Sequence, residues 1–165
     1  MTEKEFWGLF EKALKQAGDA ETYENDGPEI LQSLLETLPA AEIASFNQIF
    51  NRKYYAAYRW DLWGAAYVIG GGCSDDGFMD FRSELISRGQ AVYEAALKDP
   101  ESLADVEPSV EGLEGWQYVA GRAYQAKTGR DLPDDGERQA EEPAGEPWDE
   151  DELATLFPRL SEKFD

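Results

Sequence analysis

Apolar residues recur at the spacing of an amphipathic α-helix along almost the whole of this 165-residue chain. The first stripe runs from Phe6 to Ala17, with Thr2 and Glu5 at its start and Gly18 just after it. This pattern is typical of a helix with a capping box and a glycine at its C-terminus. Strands are not expected, because neither an Asn-Gly hairpin signal nor a sustained two-residue alternation occurs. The sequence predicts an all-α fold, a single compact domain of about seven or eight helices.

Prolines and glycines divide the later stripes into separate helices. We expect a second helix with Pro28 in its first turn and a third over 40–58. A helix over 62–69 is apolar around most of its circumference, which predicts burial, and the small residues Gly64, Ala65 and Ala66 would let a neighbouring helix approach closely. Three further stripes predict three more helices, with apolar positions Phe78, Phe81, Leu85 and Ile86, then Val92, Tyr93, Ala96 and Leu97, then Leu113, Trp116, Val119, Ala120, Ala123 and Tyr124.

The composition changes after residue 130. The stretch 131–152 holds eleven acidic residues and a single basic residue, Arg138. Such a stretch has too little apolar surface to offset the conformational entropy lost on ordering, so a loose linker is expected. The sequence therefore predicts a helical domain over 1–130, an acidic linker over 131–148 and a C-terminal segment over 149–165.

The C-terminal segment carries a helix signal of its own. Asp149 and Glu152 can cap a short helix, which Pro158 would end. The apolar residues of this helix are Leu153, Leu156 and Phe157. Together with Trp148 they are expected to dock back on the helical domain.

Histidine is absent, and cysteine occurs once, at Cys73. Without histidine, Ser-His-Asp and Cys-His catalysis, H-E-x-x-H metalloproteases and nearly all zinc sites are excluded. We assign no catalytic residue, no metal site and no cofactor. Any chemistry would have to use carboxylate, lysine, tyrosine or arginine side chains.

Three features favour a soluble cytoplasmic protein with no membrane partner. One cysteine cannot form an intramolecular disulfide, which favours a reducing compartment. The N-terminal stretch MTEKEFWGLF is charged and is not a signal peptide. The longest uncharged stretch, 62–74, is shorter than the roughly 20 residues of a membrane span.

The chain is strongly acidic, with 35 acidic and 15 basic residues and a formal net charge of -20. This charge repels a phosphate backbone, so no direct nucleic-acid binding is expected, and it attracts basic partners. The leading hypothesis is a non-enzymatic interaction or regulatory protein, such as an immunity or inhibitor protein, that binds a basic protein. The sequence leaves the oligomeric state open.

The stretch IGGGCSDDGF, 69–78, has two interpretations. In the structural one, the glycines end one helix and Ser74 caps the next, with Asp75 and Asp76 in its first turn, where the helix dipole favours anions. In the functional one, Asp75 and Asp76 bind a divalent cation or act as acid and base in an enzyme, with help from nearby arginines. Adjacent helical residues point about 100° apart, so a metal site would need a third carboxylate. The structural interpretation is favoured.

A second constellation precedes the helix over 62–69. Arg59, Trp60 and Asp61 could meet Asp75 or Arg82 in a buried, mutually satisfied network that fixes the helix crossing. The alternative is a ligand cleft whose arginines hold an anion. The candidate ligand-binding residues are Arg59, Trp60, Asp61, Asp75, Asp76 and Arg82.

Aromatic residues support two further expectations. Arg52, Lys53 and Arg59 interleave with tyrosines in a stretch without acidic residues, and they are expected to pair with carboxylates from elsewhere in the chain rather than with nucleic acid. A cleft lined by Tyr58, Trp63 and Tyr67 would bind a small ligand, although such residues more often form core.

Five stretches carry a resemblance to a known family: EFW at 5–7, the block YRWDLWGAAYVIGGGCSDDGFMDFRSELI at 58–86, YEAALKDPESLA at 93–104, YQAKTGRDLP at 124–133 and GEPWDEDEL at 145–153. The chain resembles a bacterial family of uncharacterised helical proteins, domain-of-unknown-function family 4240. The resemblance implies a helical fold and brings no reaction, cofactor or catalytic residue. The family pattern usually has tryptophan where Glu84 stands, so a surface groove filled in relatives could be open here.

Overall fold

The computed structural model describes residues 1–107 and 115–164. Within them the regular structure is helical, and the β pairing is a single isolated parallel bridge between Arg59 and Ala144. The α-helices are α1 (Glu3–Ala17), α2 (Ala20–Glu36), α3 (Ala40–Ala56), α4 (Trp60–Gly70), α5 (Asp75–Ser87), α6 (Gln90–Lys98), α7 (Val119–Thr128), α8 (Leu153–Leu156) and α9 (Pro158–Phe164). Short 3₁₀ helices cover Pro100–Asp105, Trp116–Tyr118 and Glu150–Glu152. The predicted all-α fold is confirmed.

Local capping signals set several helix ends as predicted. At α1, the hydroxyl of Thr2 accepts from the amide of Glu5 at 3.1 Å, and the carboxylate of Glu5 accepts from the amide of Thr2 at 2.6 Å. The α4 helix ends at Gly71, which is left-handed with φ 65°, and α7 ends at the left-handed Gly129 with φ 71°. The predicted stripe before Gly129 also included Leu113, which lies outside the described residues.

One predicted helix start is wrong, and it is the one that was placed by a proline. Pro28 lies inside α2 rather than in its first turn, because Asp19 caps the helix earlier by accepting from the amide of Thr22 at 2.7 Å. The predicted end of the short C-terminal helix is confirmed, since α8 stops at Leu156 before Pro158, and Pro158 begins a further helix, α9. A proline fits a first helical turn because the amide it lacks would have no partner there.

The chain divides into two compact units. Within the described residues, the first unit comprises 1–53 and 115–138, and the second comprises 54–107 and 139–164. The domain boundaries expected from the sequence, at 130 and 148, stay predictions.

The first unit packs α1 against α2 and α2 against α7 around an aromatic core. Phe10 lies at the centre of this core, with ring centroids 5.3 Å from Phe6, 5.8 Å from Phe46 and 6.0 Å from Trp116. Gly27 allows the close approach of Trp116, since a Cβ on this glycine would lie 2.6 Å from the indole ring.

The second unit packs α4 against α9 and the 3₁₀ helix Pro100–Asp105. Leu62 and Leu160 are fully buried there. The small residue Gly64 faces aromatic side chains of the C-terminal segment, and a Cβ on it would lie 2.7 Å from Phe157 and 3.0 Å from Trp148. The C-terminal segment therefore docks on α4, as predicted.

The basic residues of the 46–60 stretch pair with carboxylates, as expected. Lys53 lies 2.9 Å from Glu3 and Arg52 lies 2.7 Å from Glu137. Arg59 pairs with Asp61, the residue two positions along the chain.

Among the described helices, none is long and apolar enough to cross a membrane.

Candidate functional site

The chain before α8 lies along the start of α4. The amide of Ala144 donates to the carbonyl of Tyr58 at 3.0 Å, and the amide of Trp60 donates to the carbonyl of Ala144 at 2.9 Å. The indole Nε1 of Trp148 then donates to the carbonyl of Trp60 at 2.6 Å. These three bonds fix the stretch 144–148 beside α4.

An open groove lies at this contact, with a volume of about 650 Å³. We call it the acidic groove, and its lining residues are Arg59, Asp61, Ala144, Gly145, Glu146, Pro147, Trp148, Asp151, Glu152, Thr155 and Leu156. It contains four carboxylates and one guanidinium, so its net charge is negative.

The guanidinium of Arg59 donates hydrogen bonds to acceptors within the protein. Its Nε donates to Oδ1 of Asp61 at 3.0 Å, and one terminal nitrogen donates to the carbonyl of Leu97 at 2.8 Å. Glu152 accepts from the amide of Asp149 at 3.1 Å. In the part of the chain that the structure describes, the side-chain carboxylates of Glu146 and Asp151 neither accept a hydrogen bond nor form an ion pair. These two carboxylates are available to an incoming cation.

The groove also presents apolar surface. Leu156 is 51% exposed although it belongs to a short helix that packs on the unit. Trp148 is half-buried, with its ring edge-on to Trp60 at 6.1 Å and to Tyr67 at 5.4 Å. The neighbouring carboxylate of Glu150 raises the pKa of Tyr67. The groove can therefore bind a group that combines positive charge with an apolar part.

The structural interpretation of the glycine-rich stretch is confirmed at its cap. The hydroxyl of Ser74 accepts from the amide of Gly77 at 3.1 Å, and Asp75 and Asp76 are exposed in the first turn of α5. Burial raises the pKa of the Cys73 thiol to about 11, and the carboxylate of Asp75 acts in the same direction. This thiol is therefore protonated at neutral pH.

In the described part of the chain, Asp75 and Asp76 belong to no cluster that could hold a metal ion. Among the residues described, no group of three or more cysteine, aspartate or glutamate side chains is placed to hold a metal ion. The metal-dependent enzyme stays a hypothesis, and no observation favours it.

Arg82 lies apart from the acidic groove, in the core of the second unit. It is 1% exposed, and its guanidinium donates to the carbonyl of Phe78, to the carbonyl and hydroxyl of Tyr54, and to the side-chain oxygen of Gln139. The ring centroids of Tyr54, Tyr58 and Phe78 lie 4.2 to 4.8 Å from its central carbon. Burial lowers the pKa of this arginine.

The network that the sequence analysis favoured is therefore not formed. Arg59 and Asp61 pair with each other at the groove, Arg82 has neutral partners, and Asp75 has no bond to any of them among the described residues. Trp60 does not line the groove, and its backbone bonds to Ala144 and to the indole of Trp148. The ligand-binding role of these six residues stays a prediction.

The aromatic cleft expected from Tyr58, Trp63 and Tyr67 is replaced by packing. Trp63 stacks on Phe78 at 5.0 Å, and its Nε1 donates to the carbonyl of Cys73 at 3.0 Å. Tyr58 faces Arg82, whereas Tyr67 packs on Trp148. The small-ligand hypothesis built on these three residues has no support from their placement.

A family model described as a protein of unknown function, DUF4240, matches residues 1–126, which include α1 to α6 and most of α7. The chain belongs to the DUF4240 family. Arg59 and Asp61 lie within the match, whereas the groove residues from Ala144 to Leu156 lie beyond it. No curated protein and no solved structure matches the chain.

Sequence reasoning found one side of the acidic groove and missed the other. The sequence predicts Arg59 and Asp61 as candidate site residues, but it places Glu146 in a linker and Asp151 and Leu156 in the docking segment. Their position follows from the bridge at Ala144, which no local pattern shows. The density of acidic residues around Trp148 was the available signal.

Proposed function

We propose that this DUF4240 protein is a non-enzymatic binding protein whose acidic groove binds a basic segment of a partner protein. An inhibitor or immunity protein, which blocks a basic target by covering it, is the concrete form of this proposal. We place it in the cytoplasm, since its single cysteine needs no oxidising compartment. The proposal rests on one observation: the carboxylates of Glu146 and Asp151, which have no partner among residues 1–107 and 115–164, lie beside exposed apolar surface.

The charge of the groove supports a cationic ligand. Its four carboxylates outnumber its one guanidinium, and that guanidinium is bound to Asp61. A lysine or arginine that reached Glu146 or Asp151 would make charge-assisted hydrogen bonds without breaking a bond inside the protein. The formal charge of -20 adds long-range attraction, which speeds the encounter and weakens with salt.

The apolar part of the groove supports a protein ligand over a free ion. Leu156 and Trp148 offer surface that a small inorganic cation cannot use, whereas a segment that alternates basic and apolar side chains covers both kinds of surface. Large exposed side chains next to charged residues are typical of protein interfaces.

Nuclear magnetic resonance with a blocked synthetic peptide that alternates arginine and leucine tests this proposal. We expect the peptide to shift the backbone amide signals of 144–156 and those of Arg59 and Asp61 in a saturable way. The Leu156→Ser variant keeps every charge and should bind the peptide more weakly. A control peptide with serine in place of leucine should bind the variant and the wild type with equal affinity.

Two results would contradict the proposal. One is a set of shifts spread evenly over all exposed acidic residues, which would indicate attraction by net charge alone. The other is equal affinity of the leucine peptide for the wild type and Leu156→Ser, which would remove the apolar contact.

A further inference from the structure

A second cleft lies in the first unit, at the start of α7, and it is independent of the acidic groove. We infer that it binds a small planar molecule that carries a carboxylate. The cleft has a volume of about 390 Å³, and its lining includes Asn47, Tyr118, Gly121, Arg122 and Leu132. This volume lies in the range of pockets that hold small organic ligands.

Tyr118 and Arg122 supply an exposed aromatic ring and a cation that lies over it. Tyr118 is 52% exposed, which is unusual for a large aromatic residue in a chain with an ample core. The central carbon of the Arg122 guanidinium lies 5.7 Å from the centre of the Tyr118 ring. Arg122 is exposed and, within the described residues, forms no ion pair with a carboxylate. A planar anion could stack on the ring while its carboxylate binds the guanidinium.

Gly121 keeps the floor of this cleft open. It lies within α7 in a helical conformation, and among the residues described a Cβ on it would meet only Leu132, at 3.9 Å, which is ordinary contact. Neither close packing nor a positive φ therefore requires glycine at this position. A glycine inside a helix lowers the stability of the helix by about 1 kcal/mol relative to alanine. The space above the missing side chain belongs to the cleft.

The amides of Asn47 and Gln117 complete the lining. The Nδ2 of Asn47 donates to a carboxylate oxygen of Asp135 at 3.3 Å, so this side chain is held in position. Amide groups can hydrogen-bond a polar substituent on the ring of a ligand. The ligand class is therefore a planar ring with one carboxylate, in which the ring fills the space over Gly121.

Titration of the whole chain with benzoate, followed by amide chemical shifts, tests this inference. We expect saturable shifts at 117–122. Arg122→Gln should weaken the affinity about tenfold, the equivalent of one charge-assisted hydrogen bond, and neutral benzamide should bind more weakly by a similar factor. Gly121→Leu fills the cleft and should abolish the shifts. The control Arg130→Gln removes an exposed arginine outside the cleft and should leave the affinity unchanged.

Each alternative result overturns the inference. Absence of saturable shifts up to the solubility limit of benzoate, or equal binding to the wild type and Gly121→Leu, would show that the cleft holds no such ligand. Equal losses in Arg122→Gln and Arg130→Gln would indicate non-specific attraction of an anion to any arginine. Spectra of the variants that match the wild type outside 117–122 establish that they are folded.

Discussion

Arg82 shows how a single buried charge is stabilised without a carboxylate. Its hydrogen bonds go to neutral oxygens of Tyr54, Phe78 and Gln139, and three aromatic rings cover its faces. Arginine suits this setting better than lysine, because its planar group stacks on rings and its nitrogens reach several acceptors at once. The bond to Gln139 also holds the start of the acidic stretch of the second unit.

We expect Arg82→Ala to destabilise the protein by about 3 kcal/mol or more, because it leaves a cavity and several buried acceptors without a donor. Arg82→Lys keeps the charge but should also lower the free energy of unfolding substantially. Lysine lacks the planar guanidinium that stacks on the rings and donates to several acceptors at once. Urea unfolding followed by tryptophan fluorescence measures both changes.

The matched control for Arg82 is Arg138→Ala, at an exposed ion pair with Asp134. Exposed pairs contribute about 0 to 1 kcal/mol, so the unfolding midpoint should hardly change. If Arg82→Ala unfolds at the same urea concentration as Arg138→Ala, the aromatic surround of Arg82 does not stabilise the fold.

Asp134 gives a prediction about pH. The side-chain hydrogen bonds from Arg138 and the backbone hydrogen bond from Gly136 lower the pKa of its carboxyl to about 2, from an ordinary value of 3.8. The ionised form is favoured in the folded state, so its stabilising contribution is present above pH 3.8 and is lost as the pH falls towards 2. Titration of the Asp134 carboxyl carbon should give a midpoint near 2.

Arg138→Gln should move that midpoint upwards towards 3.8, because the two causes that involve the guanidinium are removed. A wild-type midpoint already near 3.8 would show that the bond to Arg138 is not maintained in solution.

Helix glycines separate two roles that the sequence alone does not distinguish. A Cβ on Gly27 of α2 would lie 2.6 and 2.8 Å from atoms of the buried Trp116, whereas a Cβ on Gly8 of α1 would meet nothing within 4 Å. Both positions are helical, so both would gain about 1 kcal/mol of helix propensity from alanine. Of these two glycines, it is Gly27 that has a packing reason to be glycine.

We therefore expect Gly27→Ala to lower the free energy of unfolding by about 1 to 3 kcal/mol, as overpacking of a core does, and Gly8→Ala to raise it by up to about 1 kcal/mol. Chemical denaturation of the two variants measures both. If Gly27→Ala raised the free energy of unfolding as Gly8→Ala does, Trp116 would have to move aside at no cost in stability.

Helix signals that act over a few residues could be predicted, and signals that depend on distant contacts could not. Thr2 with Glu5 and Ser74 with Gly77 cap their helices through neighbours three positions away, so the sequence shows them directly. The start of α2 predicted from Pro28 was wrong because Asp19, nine residues earlier in the chain, caps the helix.

The acidic stretch shows the same limit more strongly. Composition predicts a loose linker, yet Asp135 accepts from the side-chain amides of Asn47 and Asn51 at 3.3 and 2.7 Å within the first unit. In the second unit, Trp148 bonds to the carbonyl of Trp60. These partners lie more than 80 positions away in the sequence, and no periodicity indicates them.

For the whole molecule, the question is whether recognition depends on net charge or on the acidic groove. The formal charge of -20 attracts any basic protein, whereas the groove adds an exposed leucine and two carboxylates that have no partner in the described structure. At physiological salt the Debye length is about 8 Å, so distant charges are largely screened and contacts inside the groove should dominate.

Two double variants that change the net charge equally separate these explanations. Glu146→Gln with Asp151→Asn neutralises the groove, and Glu11→Gln with Glu29→Gln neutralises two exposed residues of the first unit. Calorimetric titration of both with the arginine-leucine peptide at physiological salt gives the answer. We expect the groove variant to bind at least about tenfold more weakly than the wild type, and the control to bind as the wild type does. Equal affinity of the two variants would contradict the assignment of the acidic groove as the binding site.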